Sequence, residues 1–130
     1  MRLFLHIIIS EKAPLFNSKW STWVKTQLND VKYFDVDRQS DAVVVETALK
    51  AIEQAEQLFV YIDCDQSTPG HLFKVIKKLS TQEGCMIYCK GENAMPMLQK
   101  LSKVFGSRWQ SALSDDAIEQ GAKNYFKALG

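Results

Sequence analysis

The sequence predicts one α/β domain in which a five-stranded parallel sheet lies between two layers of helices. Apolar runs of strand length alternate with stretches of helical periodicity along the whole chain. Three of the apolar runs are nearly continuous, which is typical of strands covered on both faces. No repeat, low-complexity segment or linker divides the sequence, and 130 residues suit one core. We therefore expect residues 1–130 to form a single domain.

The predicted elements alternate from the first strand to the last helix. Strands are expected near residues 2–9, 32–37, 58–63, 84–89 and 107–113. Helices are expected near residues 15–29, 44–56, 69–82, 94–105 and 115–128, several of them with one clear apolar stripe.

Differences between the strands also predict their order. Residues 3–9, 58–62 and 85–89 are nearly continuous apolar runs, whereas residues 32–37 alternate and residues 107–113 are mixed. The second and fifth strands should therefore be the edges. This indicates a three-layer sandwich with the flavodoxin-like order 2-1-3-4-5 and a switch point between the first and third strands.

Composition and charge exclude several classes of function. Sixteen basic and fifteen acidic residues leave a formal charge of +1, without the basic excess typical of nucleic-acid binding. Lys74, Lys77 and Lys78 form a local cluster that we interpret as the solvated face of a helix. No apolar run approaches the roughly 18 residues of a membrane span, and three cysteines are an odd number that fits a reducing compartment. We expect a cytoplasmic protein that binds neither nucleic acid nor membrane.

The candidate site lies where the carboxyl ends of the strands meet. Asp63 and Asp65 end the third apolar run, at the predicted switch point, where open α/β sheets bind their ligands. Asp63, Asp65 and Glu11 are the candidate catalytic carboxylates, with Glu46 as a further possibility. The predicted ligand-binding residues, which share this edge, are Ser10, Glu11, Asp37, Asp63, Asp65, His71 and Lys90.

Neither the histidines nor the cysteines have metal-ligand spacing, so we predict no metal site and no cofactor. His6 lies inside a predicted central strand, where a hydrogen-bonded core histidine is the expected role. The first helix places Trp23 in its core stripe and Trp20 nearer the edge of that stripe. Trp109 lies on a predicted edge strand and is expected to be packed.

Two families resemble parts of the chain, and the first covers residues 2 to about 80. Residues 2–10, Phe16, Trp20 and residues 49–55 resemble a Toll/interleukin-1 receptor (TIR) domain. The resemblance implies a protein that acts by self-association or, as in many bacterial members, cleaves the nicotinamide–ribose bond with a glutamate on the helix after the third strand. Residues 70–82, the predicted helix after the third strand, contain no glutamate, and Glu83 comes only at the very end of that helix. The resemblance therefore implies an interaction module more readily than a glycohydrolase or the related nucleoside deoxyribosyltransferases.

Residues 48–52 and 58–63 also resemble the response-regulator receiver family, in which an aspartate of the third strand is phosphorylated. Asp63 matches that position. Receivers carry an acidic pair after the first strand, a hydroxyl residue after the fourth and a lysine after the fifth. This chain has Ser10 and Glu11, Lys90 and Ser114 at those places.

We therefore predict a cytoplasmic signalling or protein-interaction module that binds a protein partner or itself. A nucleotide-binding or nucleotide-cleaving enzyme and a receiver that uses Asp63 remain the alternatives.

Overall fold

Five parallel strands form one sheet in the order β2-β1-β3-β4-β5, which confirms the predicted flavodoxin-like fold. The computed structural model describes residues 1–10, 19–65, 68–91 and 96–129. The strands are β1 (Arg2–Ile9), β2 (Val31–Asp37), β3 (Gln57–Cys64), β4 (Met86–Lys90) and β5 (Trp109–Ser111).

Helices cover both faces of the sheet, as a three-layer sandwich requires. They are α1 (Lys19–Gln27), α2 (Ala42–Gln54), α3 (Phe73–Leu79), α4 (Pro96–Phe105) and α5 (Asp115–Leu129). The buried side chains of α1 and α5 belong to one core and those of α2, α3 and α4 to the other. The first four residues predicted for the first helix, 15–18, lie outside the described residues.

Burial explains why the central and edge strands have different sequences. Six of the eight residues of β1 and of β3 are buried, because helices cover both faces of these strands. Along β2 only Val36 is buried, and Lys32 and Asp35 are exposed. Exposed charges of this kind discourage the open edge of a sheet from pairing with another chain.

The two cores differ in chemistry. The core under α2, α3 and α4 is mainly aliphatic, whereas the core under α1 and α5 is rich in aromatic rings. Phe59 lies at its centre, with its ring centroid 5.2 Å from those of Phe4 and Tyr88. The Tyr125 hydroxyl ties α5 to the sheet, because it accepts a hydrogen bond from Leu58 N and donates one to the carbonyl of Gly84, both at 3.0 Å.

The prediction for the two tryptophans of α1 was wrong. Trp20 is buried, at 5% exposure, and Trp23 is only partly buried. Trp20, Val24 and Leu28 form the row of residues that faces the sheet, since positions four apart lie one above the other on a helix. Trp109 of the edge strand β5 is packed, as predicted.

Cys64, Cys85 and Cys89 are buried, and none of the three forms a disulfide. Cys64 ends β3, whereas Cys85 precedes β4 at the opposite, amino edge of the sheet. Burial raises the pKa of the Cys85 thiol, against the opposing effect of Arg108.

Candidate functional site

Asp63 lies at the switch point of the sheet, as predicted. It is paired in register with Ile8 of β1 on one side and with Lys90 of β4 on the other. Lys90 is the last residue of β4, so a carboxylate and an ammonium group lie side by side at the carboxyl edge. This arrangement follows directly from the register of three parallel strands.

Asp63 is half-buried, and the Tyr61 hydroxyl lies near enough to its carboxylate to affect the pKa values of both groups. The two residues are two positions apart on β3 and so share one face of the sheet. Burial raises the pKa of Asp63, while Lys90 and the Tyr61 hydroxyl act in the opposite direction. Burial, together with the charge of Asp63, also raises the pKa of Tyr61 above its ordinary value. The Tyr61 hydroxyl therefore stays protonated throughout the physiological range.

Asp115 brings a second carboxylate to the same edge. It is the first residue of α5, where the helix dipole stabilises a negative charge. Lys19 hydrogen-bonds its Oδ2, and Lys90 Nζ lies 3.4 Å from its Oδ1. The hydrogen bond from Lys19 is the main cause of the lowered pKa of Asp115. Lys90 therefore lies between two acidic groups, Asp63 and Asp115.

Ser10 and Asp65 fasten the ends of the two central strands together. The Ser10 hydroxyl donates to Asp65 Oδ2 at 3.0 Å, and Asp65 N donates to the carbonyl of Ile9 at 3.0 Å. The groups described in these paragraphs form what we name the carboxyl-edge cluster: Ser10, Lys19, Tyr61, Asp63, Asp65, Lys90 and Asp115.

His6 lies behind this cluster and is a buried core histidine, as predicted. It is 4% exposed, and its ring stacks on Tyr61 with centroids 4.6 Å apart. Its Nδ1 lies 2.9 Å from the Tyr33 hydroxyl, whereas its Nε2 has no hydrogen-bond partner in the described part of the chain. Burial lowers the pKa of His6 to about 3, and the charge of Asp115 only partly opposes this. The imidazole is therefore neutral at physiological pH.

Gly91 brings the ends of β3 and β4 close together. It has a φ of +85°, and a Cβ at this position would lie 2.0 Å from the carbonyl oxygen of Cys64. Only glycine combines this backbone conformation with so close an approach. Gly91 follows Lys90 and Cys64 follows Asp63, so this close approach keeps the ends of the two strands together.

The remaining predicted site residues lie apart from the cluster or outside the described residues. The Asp37 carboxylate accepts a hydrogen bond from Gln39 N at 2.7 Å and so stabilises the turn after β2. His71 is exposed and lines a cavity of about 200 Å³ between the starts of α2 and α3, with Glu46 and Lys74 among its neighbours. Glu11 lies outside the described residues. Ligand binding by Asp37, His71 and Glu11 stays a prediction.

Asp115, Lys19 and Tyr61 are the members of the cluster that sequence reasoning missed. Tyr61 could have been found, because residues two apart on a strand point to the same face. Asp115 could also have been found, because it follows the fifth strand and starts a helix. Lys19 has no such signal.

Each carboxylate of the cluster lies near an ammonium or hydroxyl group of the same chain. Lys90 and Lys19 lie beside Asp115, and the Ser10 hydroxyl donates to Asp65. The Tyr61 hydroxyl lies near Asp63, the acid whose pKa is raised. Among the described residues, no group of three or more histidine, cysteine or carboxylate side chains is placed to hold a metal ion.

A second surface depression lies between α2 and α3, next to the cavity at His71. We name it the α2–α3 groove; it has a volume of about 310 Å³ and is lined by Leu49, Lys74, Lys77, Lys78 and Thr81. Lys74 lines both the groove and the cavity, so the two are neighbours on the surface.

A third cavity, of about 420 Å³, lies at the amino edge of the sheet and is lined in part by Arg2, Lys123 and Phe126. Arg2 donates hydrogen bonds to Gln57 Oε1 and to the carbonyls of Asn29 and Phe126. These bonds hold three segments of the chain together. The Arg2 guanidinium group therefore has a structural role.

The fold and the site together define an α/β protein with a flavodoxin-like sheet and a polar cluster at its switch point. Comparison of the chain with protein-family models, with curated proteins and with solved structures found no match. No helix in the described ranges has the length and apolar character needed to cross a bilayer.

Replacing Tyr61 by phenylalanine is expected to raise the pKa of Asp63 further. The hydroxyl stabilises the charged form of the carboxylate, and its removal leaves burial less opposed. A carbon-detected NMR titration of the Asp63 carboxyl group measures the change. Tyr88→Phe is the matched control, because Tyr88 is the register partner of Tyr61 on β4. An equal change in both variants would contradict the role assigned to Tyr61.

Proposed function

We propose that this chain is a cytoplasmic signalling module that acts by binding another protein at the carboxyl edge of its sheet and along the adjoining surface of α2 and α3. One observation carries the proposal. Both helices begin at the carboxyl edge, and each exposes a large apolar side chain in its first turn, Val43 at 73% and Phe73 at 46% exposure. Apolar side chains held in water beside a surface cavity are typical of sites that a partner covers.

The chemistry of the carboxyl-edge cluster supports binding over catalysis. Its carboxylates are engaged by hydroxyl and ammonium groups of the same chain. The helix after β3, Phe73–Leu79, carries no carboxylate that could serve as the glutamate of a nucleotide-cleaving enzyme. The cluster then has a structural role: it holds in place the strand ends beside which α2 and α3 begin.

Site-specific photocrosslinking in cells of the source organism tests the proposal. A photoreactive phenylalanine analogue at position 43 or at position 73 is expected to form a covalent adduct with the same protein. The control is position 104, because Val104 is also an exposed apolar residue, at 68%, but lies at the end of α4 near the opposite edge. Adducts with a second copy of this chain would identify self-association as the form of binding. Equal adducts from all three positions, or none, would contradict the proposal.

A second candidate function is that of a phosphoacceptor receiver, and the proximity of Lys90 to Asp63 favours it. A lysine beside the acceptor can stabilise the charge that develops on a transferred phosphoryl group. If this function holds, acetyl phosphate with Mg²⁺ adds one phosphoryl mass to the wild type and none to Asp63→Asn. The partial burial of Asp63 weighs against it, because burial disfavours the charged carboxylate that would act as the nucleophile.

A further inference from the structure

We propose that the α2–α3 groove binds an acidic amphipathic helix of a partner protein. The inference rests on the proposed function and deepens it by naming the chemistry of the partner. It is argued from the groove's apolar floor, its basic rim and the absence of acidic partners for two of its lysines in the described part of the chain.

The floor of the groove is apolar. Leu49 is partly buried and packs against the aliphatic core, although α3 lies beside α2. The faces of α2 and α3 that carry Val45, Val75 and Ile76 are already occupied by the sheet. Leu49 and the methylene chains of the neighbouring lysines therefore form a strip that a second apolar surface can cover.

The rim of the groove is basic and only partly neutralised. Glu53 of α2 pairs with Lys78 at 2.7 Å, and this pairing lowers the pKa of Glu53. No carboxylate within the described ranges lies within 4.0 Å of the ammonium groups of Lys74 or Lys77. These two lysines are exposed and have charge available for a partner. A complementary occupant carries carboxylates opposite them.

The shape of the groove favours a helix as the occupant. Four of its five lining residues come from α3 and the turn after it, and the seven residues of α3 provide a wall about 10 Å long, which matches two turns of a helix. An amphipathic helix lies along such a wall and places apolar side chains at positions i, i+3, i+4 and i+7 on the floor. Glutamates on its flanks then reach the lysines of the rim. A nucleic acid fits less well, since its phosphates gain nothing from the Leu49 floor.

Lys77 and Lys78 also lie in the last turn of α3, where a positive charge complements the helix dipole. This explains the sign of those two charges. It does not explain Lys74, which lies in the first turn of α3, where the dipole disfavours a cation. Lys74 also lines both the groove and the cavity at the carboxyl edge.

A synthetic amphipathic peptide of roughly 15 residues tests the proposal, with leucines on one face and glutamates on both flanks. Added to the labelled full-length protein, it is expected to shift the amide resonances of Leu49, Lys74 and Thr81 in NMR spectra. A second peptide with lysine in place of every glutamate is expected to leave them unchanged. The double variant Lys74→Glu, Lys77→Glu is expected to weaken binding of the acidic peptide at least tenfold.

The matched control is the double variant Lys100→Glu, Lys103→Glu, because both of these lysines are exposed on α4, away from the groove. It should bind the acidic peptide as the wild type does. If the first double variant does not fold, Lys74→Gln, Lys77→Gln replaces it, with the same direction of change.

The proposal is overturned by any of these results: no binding of the acidic peptide up to about 1 mM, shifts confined to other elements, equal binding of both peptides, or equal weakening in the α4 variant. Preferential shifts of the same amides by anionic phospholipid vesicles would also overturn it, in favour of a membrane surface. If photocrosslinks at positions 43 and 73 persist while the peptide fails, only the identity of the partner is wrong. If both fail, the proposed function is wrong as well.

Discussion

The Gly91→Ala variant is expected to be at least about 3 kcal/mol less stable than the wild type. Alanine would place its Cβ 2.0 Å from the carbonyl oxygen of Cys64, and the φ of +85° is one that residues with a side chain rarely adopt. Both atoms that collide are fixed, since one is backbone and the other is bonded directly to it. The ends of β3 and β4 must therefore separate. Urea denaturation followed by fluorescence measures the change in the free energy of unfolding.

Gly84→Ala separates the two causes. Gly84 has a similar φ of +79°, but nothing lies within 4 Å of a Cβ at that position. This control is expected to lose only about 1–2 kcal/mol, from the backbone conformation alone. The difference between the two variants then measures the contact with Cys64. Equal losses would show that the close approach at Gly91 contributes nothing.

Acid is expected to destabilise the protein through His6. Its pKa is about 3 in the folded protein and has its ordinary value of 6.5 when the chain is unfolded. As the pH falls through 6.5, the unfolded chain takes up a proton that the folded protein does not, so stability is lost from that pH downward. Between pH 7 and pH 5 the loss is about 2 kcal/mol. Urea midpoints measured at the two pH values give this quantity.

His6→Gln is the variant that isolates this contribution. Glutamine retains a polar group near the Tyr33 hydroxyl but does not titrate, so the pH dependence due to His6 should disappear. The raised pKa of Asp63 and the lowered pKa of Asp115 act with opposite signs and are present in both proteins. The difference between wild type and variant therefore cancels them. The same loss in both proteins between pH 7 and pH 5 would contradict the buried neutral state of His6.

The fold could be predicted because the burial of a strand determines its pattern of apolar and polar residues. The central strands β1 and β3 read as continuous apolar runs, and the edge strand β2 alternates because one side of it meets water. These contrasts predict the strand order. The start of β4 was predicted two residues early, at position 84, because Cys85 is buried before the strand's pairing begins at Met86.

The position of the candidate site could be predicted from the sequence, but not all of its residues. Asp63 was placed at the switch point because strand order and strand ends determine it. The contact of Lys19 with Asp115 joins residues 96 positions apart on different helices. No local sequence pattern predicts a contact between residues so far apart in the chain. The error over Trp20 and Trp23 has a similar origin. Two large aromatic residues on one helix both fit an apolar stripe, and only the position of the sheet decides which one is covered.

The three buried cysteines give this protein an internal reporter of local opening. A buried thiol reacts with an alkylating reagent only while the structure around it is open, so its rate of labelling measures how often that part of the fold opens. Cys64 lies at the carboxyl edge beside Gly91, and Cys85 lies at the amino edge before β4. Mass spectrometry of the two labelled peptides would therefore compare the opposite edges of one sheet in the same experiment. A partner that covers the carboxyl edge should slow the labelling of Cys64 more than that of Cys85.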